Sequence, residues 1–277
     1  MKIRLAATAA LVFLAAALPA FAAEATFDRT LRVQGRPQLD VVTGSGAIHL
    51  TVGPTGQLHI IGHVRSFWGG NDDRVRSIAA QPPIEQTGSI VHVGVHMSRM
   101  NGISIEYEIQ APADTYLNAK TGSGAIVDQD VGSETRLDTG SGTIRATGLQ
   151  GGFDLSTGSG SIYAEQVGHG DVTARTGSGS IEVRNLKGAL QAKTGSGSIT
   201  VAGEPTGPWS LHTGSGHVEL WTGSASFDLD ASCGSGSIRI DRPLTVRSQS
   251  KHHLSGKVGG GGPNVRIDTG SGSIRVH

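Results

Sequence analysis

The residues Ser-Gly return ten times along this chain in one local setting, most often as Thr-Gly-Ser-Gly followed by a small polar residue and then Ile or Val. The positions equivalent to the first Thr are Thr43, Thr121, Thr139, Thr157, Thr176, Thr194, Thr213, Cys233, His253 and Thr269. From Thr121 onward the steps between them are 18, 18, 19, 18, 19, 20, 20 and 16 residues. A unit that short cannot enclose a core of its own. It has to bury its apolar face against its neighbours, as one coil of a stacked solenoid does.

The residues around each corner show which way they face. Four and two positions before the Thr stand pairs such as Leu117 and Ala119, Phe153 and Leu155, or Leu190 and Ala192. This period-two alternation marks a strand with one buried face, and the same parity turns the Thr inward. Beyond the corner the inward set resumes at Ile126, Ile144, Ile162, Ile181, Ile199, Val218, Ile238 and Ile274. From Thr157 to Ile162 is an odd number of steps, so the alternation slips at Gly-Ser-Gly and the chain turns there. Glycines such as Gly160 are expected to take positive φ at that turn. Stacked Thr and Ser hydroxyls are expected to bond to one another along the ladder. Val131, Leu149, Val167 and Leu186 form a third inward position. The pattern predicts an all-β fold, a single-chain parallel β-helix with about 18 residues per coil and a core of aliphatic ladders.

The run Ile105 to Gly124, IEYEIQAPADTYLNAKTGSG, resembles the bacterial putative-adhesin family of β-strand-repeat proteins of unknown function, in which a Tyr-x-Ile-x-x-Pro segment leads into Gly-Ser-Gly coils. The resemblance spans Leu31 to His277. It implies a right-handed parallel β-helix and an exported, envelope-associated protein, and it brings no catalytic residues with it.

The chain opens MKIRLAATAALVFLAAALPAFA, with Lys2 and Arg4, an apolar stretch from Leu5 to Leu18, and the small-x-small site Ala20-Phe21-Ala22. Residues 1–22 therefore read as a secretory signal peptide, too short in its apolar part for a membrane span. Residues 23–112 form irregular N-terminal β-helix coils, broken by Phe67-Trp68-Gly69-Gly70 and by a helix near 71–80 that Asn71, Asp72 and Asp73 start and Pro82 and Pro83 end. Residues 113–277 are the regular repeat. The insertion either caps the first coil or binds a partner through Phe67 and Trp68, with capping the general requirement of a solenoid.

Charge and chemistry narrow the function. The chain carries 23 Lys and Arg against 23 Asp and Glu; losing Lys2 and Arg4 with the signal leaves 21 basic side chains, a balance unsuited to nucleic acid. With Cys233 alone no internal disulfide forms, and its inward column makes it a small buried apolar residue. The turns carry Ser where a calcium-binding β-roll needs Asp, and no Lys follows TGSG as a phosphate loop requires. Polysaccharide-active β-helices need paired carboxylates on one outer face, whereas Asp138 and Asp154 fall on neighbouring coils at different offsets. His92 and His96, and His212 and His217, lack a third converging ligand for a metal. No catalytic, metal or cofactor-binding residue is therefore assigned. Lys251, His252, His253 and Lys257 form the one basic cluster, on a coil where Gln249 and Lys251 stand in place of aliphatics, so that the coil bulges or opens. Phe67, Trp68, Lys251, His252, His253 and Lys257 are the candidate partner-binding residues.

These readings point to an exported, non-enzymatic protein of the periplasm, cell surface or surroundings. It presents a rigid surface to a cell-envelope polymer, a glycan or a protein partner; a polysaccharide-active enzyme and a self-assembling structural protein are the alternatives. The stretch Ser273 to His277 is expected to leave an open strand edge at the end of the stack, suited to end-to-end self-association.

Overall fold

A computed structural model describes residues 23–67, 72–94 and 102–277. The signal-peptide reading of 1–22 falls outside the described residues, as do Trp68, Asn71 and His96. The described chain is all-β with one helix, and its 23 strands join in a single hydrogen-bonded sheet. The first half comprises β1 (Glu24–Arg32), β2 (Gln38–Ser45), β3 (Ile48–Val52), β4 (Gln57–Ser66), α1 (Asp72–Ala80), β5 (Ile84–Thr87), β6 (Ile90–Val93), β7 (Ile103–Ala111), β8 (Tyr116–Ser123), β9 (Ile126–Gln129), β10 (Glu134–Ser141) and β11 (Ile144–Leu149). Then come β12 (Gly152–Ser159), β13 (Ile162–Gln166), β14 (Val172–Ser178), β15 (Ile181–Ser196), β16 (Ile199–Ser215), β17 (Val218–Trp221), β18 (Phe227–Ser235), β19 (Ile238–Ile240), β20 (Leu244–Gln249), β21 (His253–Val258), β22 (Asn264–Ser271) and β23 (Ile274–Val276).

The strands that enter each corner stack parallel and in register, with Thr139 opposite Thr121 on one side and Thr157 on the other, and Ser141 likewise between Ser123 and Ser159. The strands that leave the corner stack in the same way, with Ile144 between Ile126 and Ile162. The alternation read from sequence holds: Leu117, Ala119, Leu155, Ile162, Ile181 and Ile199 are all buried. The Thr hydroxyls do not bond to one another. Each donates to a carbonyl of the neighbouring layer, Thr139 to Gly124, Thr157 to Gly142 and Thr194 to Gly179, at 2.9–3.0 Å. The corner bends the chain away from the regular ladder, and the Thr side chain supplies the donor that this carbonyl would otherwise lack.

Glycine is required at the corner by close approach more than by dihedral angle. Gly160 is not among the residues with positive φ, although Gly124, Gly179 and Gly197 are. A Cβ on Gly160 would overlap the Gly142 carbonyl, as one on Gly142 would overlap that of Gly124. In the third inward position Val131, Leu149 and Leu186 are buried, but Val167 is 57% exposed and Gln166 takes its place. The Gln166 amide donates to the carbonyls of Gly151 and Gly170 and accepts from the N–H of Lys187, so its burial leaves no polar group unmet.

Both ends differ from a simple run of coils. At the N-terminal end β1, β4 and β7 pair antiparallel, and β7 joins the stack parallel to β3, while β5 and β6 form an antiparallel pair that meets β2 through β6. Helix α1 packs on β1 and β4 with Val75 buried, and Arg29 donates to the Ala80 carbonyl. At the other end space does not follow sequence. β22 lies between β16 and β18, and β23 lies between β17 and β19. Ser273 to His277 is therefore an internal part of the stack, not an open end. The segment around His253 does not continue the Thr column either: β21 runs antiparallel to β18 with His253 opposite Ser232, and β20 pairs antiparallel with β21. Polar residues such as Gln249 and Lys251 give this segment no face to bury, so it folds back as a hairpin over the edge of β18. The Gly259–Gly262 run then returns the chain to the slot beside β16, with Gly259, Gly261 and Gly262 at positive φ.

Among the described residues one carboxylate breaks the aliphatic columns. Asp128, between Leu50 and Ala146 in register, is 0% exposed, and neither carboxyl oxygen makes a well-formed hydrogen bond, the Val131 backbone N–H being only a weak partner. Burial pushes its pKa well above the ordinary carboxylate range, and the Val131 backbone N–H offsets this only in part.

Candidate functional site

A parallel in-register stack turns each outward position into a row crossing the strands at about 4.8 Å per strand. On the outer face of β2, β8, β10, β12 and β14 one such row reads Asp40, Asn118, Arg136, Asp154 and Thr173. A second row two residues earlier reads Gln38, Tyr116, Glu134 and Gly152. Gly152 contributes no side chain, and together the rows line an open groove of about 620 Å3, with Asp171 at its β14 end.

The groove is partly pre-set by hydrogen bonds. Asn118 Nδ2 donates to Asp40 Oδ1 at 2.9 Å, Gln38 Nε2 donates to Asp40 Oδ2 at 3.2 Å, and His92 Nδ1 lies 3.2 Å from the same oxygen. Arg175 pairs with Asp154 at 3.3 Å, and the Arg36 guanidinium lies 4.5 Å over the Tyr116 ring. Asn118 Oδ1 is buried at the groove floor without a hydrogen-bond partner, Thr135 Oγ1 is likewise unpartnered on the core side of β10, and the exposed Glu134 and Arg136 have no ion pair among the described residues. The sequence pattern correctly placed Asp138 opposite Ser156 and not opposite Asp154. It did not reveal this groove, because Asp40 meets Asn118 across 78 residues of chain.

The candidate partner-binding residues fall at opposite ends. Phe67 is 61% exposed next to the capping strands, and Trp68 is outside the described residues. In the basic cluster His253 Nε2 lies 2.9 Å from Asp230 Oδ1 and His252 Nδ1 lies 3.8 Å from Cys233 Sγ, while Lys251 and Lys257 are exposed. Cys233 is buried in the Thr column. The strand insertion creates a further group there by bringing Asp268 between His212 and Ser232. Burial opposes its charge, but hydrogen bonds from Ser232 at 2.6 Å and Arg266 at 2.9 Å, aided by His212, hold the Asp268 carboxyl below its ordinary value. The Ser232 proton points at a carboxylate, not at an imidazole, which is not the arrangement that activates a serine nucleophile. Among the described residues no group of three or more His, Cys, Asp or Glu is placed to hold a metal ion, and no helix is long and apolar enough to cross a membrane.

The Toastrack DUF4097 family model matches residues 84–277. No curated protein matches the chain. Among solved structures the chain is similar to a putative adhesin from Bacteroides fragilis NCTC 9343, at 13% identity over 91% of this chain and 97% of that one, with a TM-score of 0.37. It is similar also to a putative cell adhesion protein from Clostridium sporogenes ATCC 15579, at 14% identity over 91% and 99% of the two chains and a TM-score of 0.27. At these values the likenesses carry no functional argument.

Proposed function

The chain belongs to the Toastrack DUF4097 family, and on that premise we propose that it is an exported, non-enzymatic binding scaffold with an adhesin-like role, presenting its outer-face groove to a polymer or partner of the cell envelope. In this reading residues 1–22 direct export. The stack is one right-handed parallel β-helix of about 18 residues per coil, supported by pairings such as Thr121 with Thr139 and Thr139 with Thr157. The observation that carries the proposal is the placement of the groove side chains, Asp171 apart, on five parallel strands and not on loops. A surface set by the sheet loses little conformational freedom on binding, which is what a docking face needs.

The test is co-sedimentation of the purified protein with cell envelopes, compared with Thr173→Phe, which fills the groove from β14. Saturable binding that the variant loses supports the proposal; undiminished binding by the variant contradicts it. The carboxylates of Asp40, Glu134, Asp154 and Asp171 share the groove, and this favours glycan cleavage as the second reading. Release of new reducing ends in the same assay would establish that reading and displace the first.

A further inference from the structure

The chemistry of the groove narrows the ligand, given the binding role proposed above. A protein partner is anchored by aromatic or aliphatic side chains entering desolvated pockets. Here the exposed aromatic, Tyr116, already carries the Arg36 guanidinium over its ring. A polyanion needs a run of unpaired cations and a polycation a run of unpaired carboxylates. The groove has neither: Asp40 accepts hydrogen bonds from Asn118 and Gln38 beside His92, Asp154 is paired with Arg175, Asp171 accepts from the Ala189 N–H, and Glu134 and Arg136 stand as neighbouring opposite charges in adjacent rows.

What the groove lacks is hydrogen-bond partners of both kinds. Exposed Arg136 offers donors, and the exposed carboxylates of Glu134 and Asp171 offer acceptors. A ligand hydroxyl donates and accepts, so one kind of group meets both needs. The groove crosses five strands at about 4.8 Å each, a spacing comparable with the length of one sugar ring. We propose that the groove binds an uncharged, hydroxyl-rich linear polymer, a neutral glycan, lying across the strands from β2 to β14. Arg136 and Glu134 bond its hydroxyls, and Tyr116 borders the channel.

Isothermal titration of the purified protein with a panel of hexasaccharides tests this: neutral cellohexaose, chitohexaose and maltohexaose against anionic oligogalacturonate and cationic chitosan oligomer. At least one neutral hexasaccharide should bind saturably, more weakly as it is shortened to a disaccharide, and with little dependence on salt. Arg136→Ala, an exposed substitution that leaves the core intact, should weaken that binding roughly tenfold, the loss of one charged hydrogen bond. If every neutral oligosaccharide fails, or a charged one binds tighter, while Thr173→Phe still abolishes envelope binding, the ligand class is wrong and the groove stands as a docking site. If Thr173→Phe leaves envelope binding unchanged, the binding role itself fails. Neutral-glycan binding indifferent to both Arg136→Ala and Thr173→Phe would also overturn the assignment.

Discussion

Replacing Asp128 should make the protein more stable, by an amount that depends on pH. The carboxyl is fully buried between Leu50 and Ala146, its oxygens make no well-formed hydrogen bond, and burial raises its pKa well above the usual range, a rise that the weak Val131 N–H contact only partly offsets and nearby Asp130 adds to. A group whose folded pKa is raised favours the fold when protonated. Its contribution is complete below the unfolded value of about 3.9 and is lost as pH climbs toward the folded value, at about 1.4 kcal/mol per pH unit. To this is added the pH-independent cost of an unsatisfied buried polar group, about 1–3 kcal/mol. Val occupies the same column at Val183 and Val201, so Asp128→Val fits the local packing and should gain at least about 2 kcal/mol at pH 7. Asp128→Asn keeps an unsatisfied polar group but cannot ionise, so it should match the wild type near pH 4 and exceed it at pH 7. Urea denaturation followed by circular dichroism from pH 4 to 8 separates the two terms. Parallel stability curves for wild type and Asp128→Asn, or a less stable Asp128→Val at pH 7, would refute the reasoning.

Thr157→Val should cost about 1 kcal/mol by leaving the Gly142 carbonyl without its donor, and a melting temperature equal to wild type would show that water replaces the hydroxyl at no cost. Gly158→Ala should lower stability severely, because its Cβ would lie 2.5 Å from the Gly140 carbonyl oxygen; a soluble variant of wild-type stability would mean that the layers slide apart easily. Leu155→Asp should cost on the order of 3–5 kcal/mol or more, read as loss of folded protein in the same denaturation assay. Arg275→Pro should unfold the stack around β23 without changing the oligomeric state, since β23 is paired on both sides; light scattering that shows a dimer turned into a stable monomer would restore the open-end arrangement.

The alternation around each corner was enough to separate inside from outside, because a strand with one buried face has no other way to satisfy its apolar residues. The same parity held at Cys233 and at the aligned serines. Neighbour identity was not legible. Strand pairs built on the same Thr-Gly-Ser-Gly corner fit one another equally well, so nothing local tells β22 to sit beside β16 and not beyond β21. What decides it is the hairpin of β20 and β21, whose polar residues cannot extend the core, and the Gly259–Gly262 run that carries the chain back. The groove was hidden for a related reason: it depends on β2 reaching β8 past the capping strands β4 to β7. Gln166 replaced Val167 inside because a short third side can bury an amide when three backbone groups meet it. Asp128 was visible in principle, lying two residues beyond Ile126 where other layers place Ala, Val, Leu or Ile.

The measurement that bears most directly on the proposed function is a nuclear magnetic resonance titration of the isotope-labelled protein with the tightest-binding neutral hexasaccharide, observing the Asn118 side-chain amide and the Arg136 Nε–H. Both signals should shift together and saturate at the affinity found by calorimetry, while the side chains of His252, His253 and Lys257 on the far hairpin stay unmoved. Saturable binding that shifts the hairpin signals and leaves Asn118 and Arg136 in place would contradict the account.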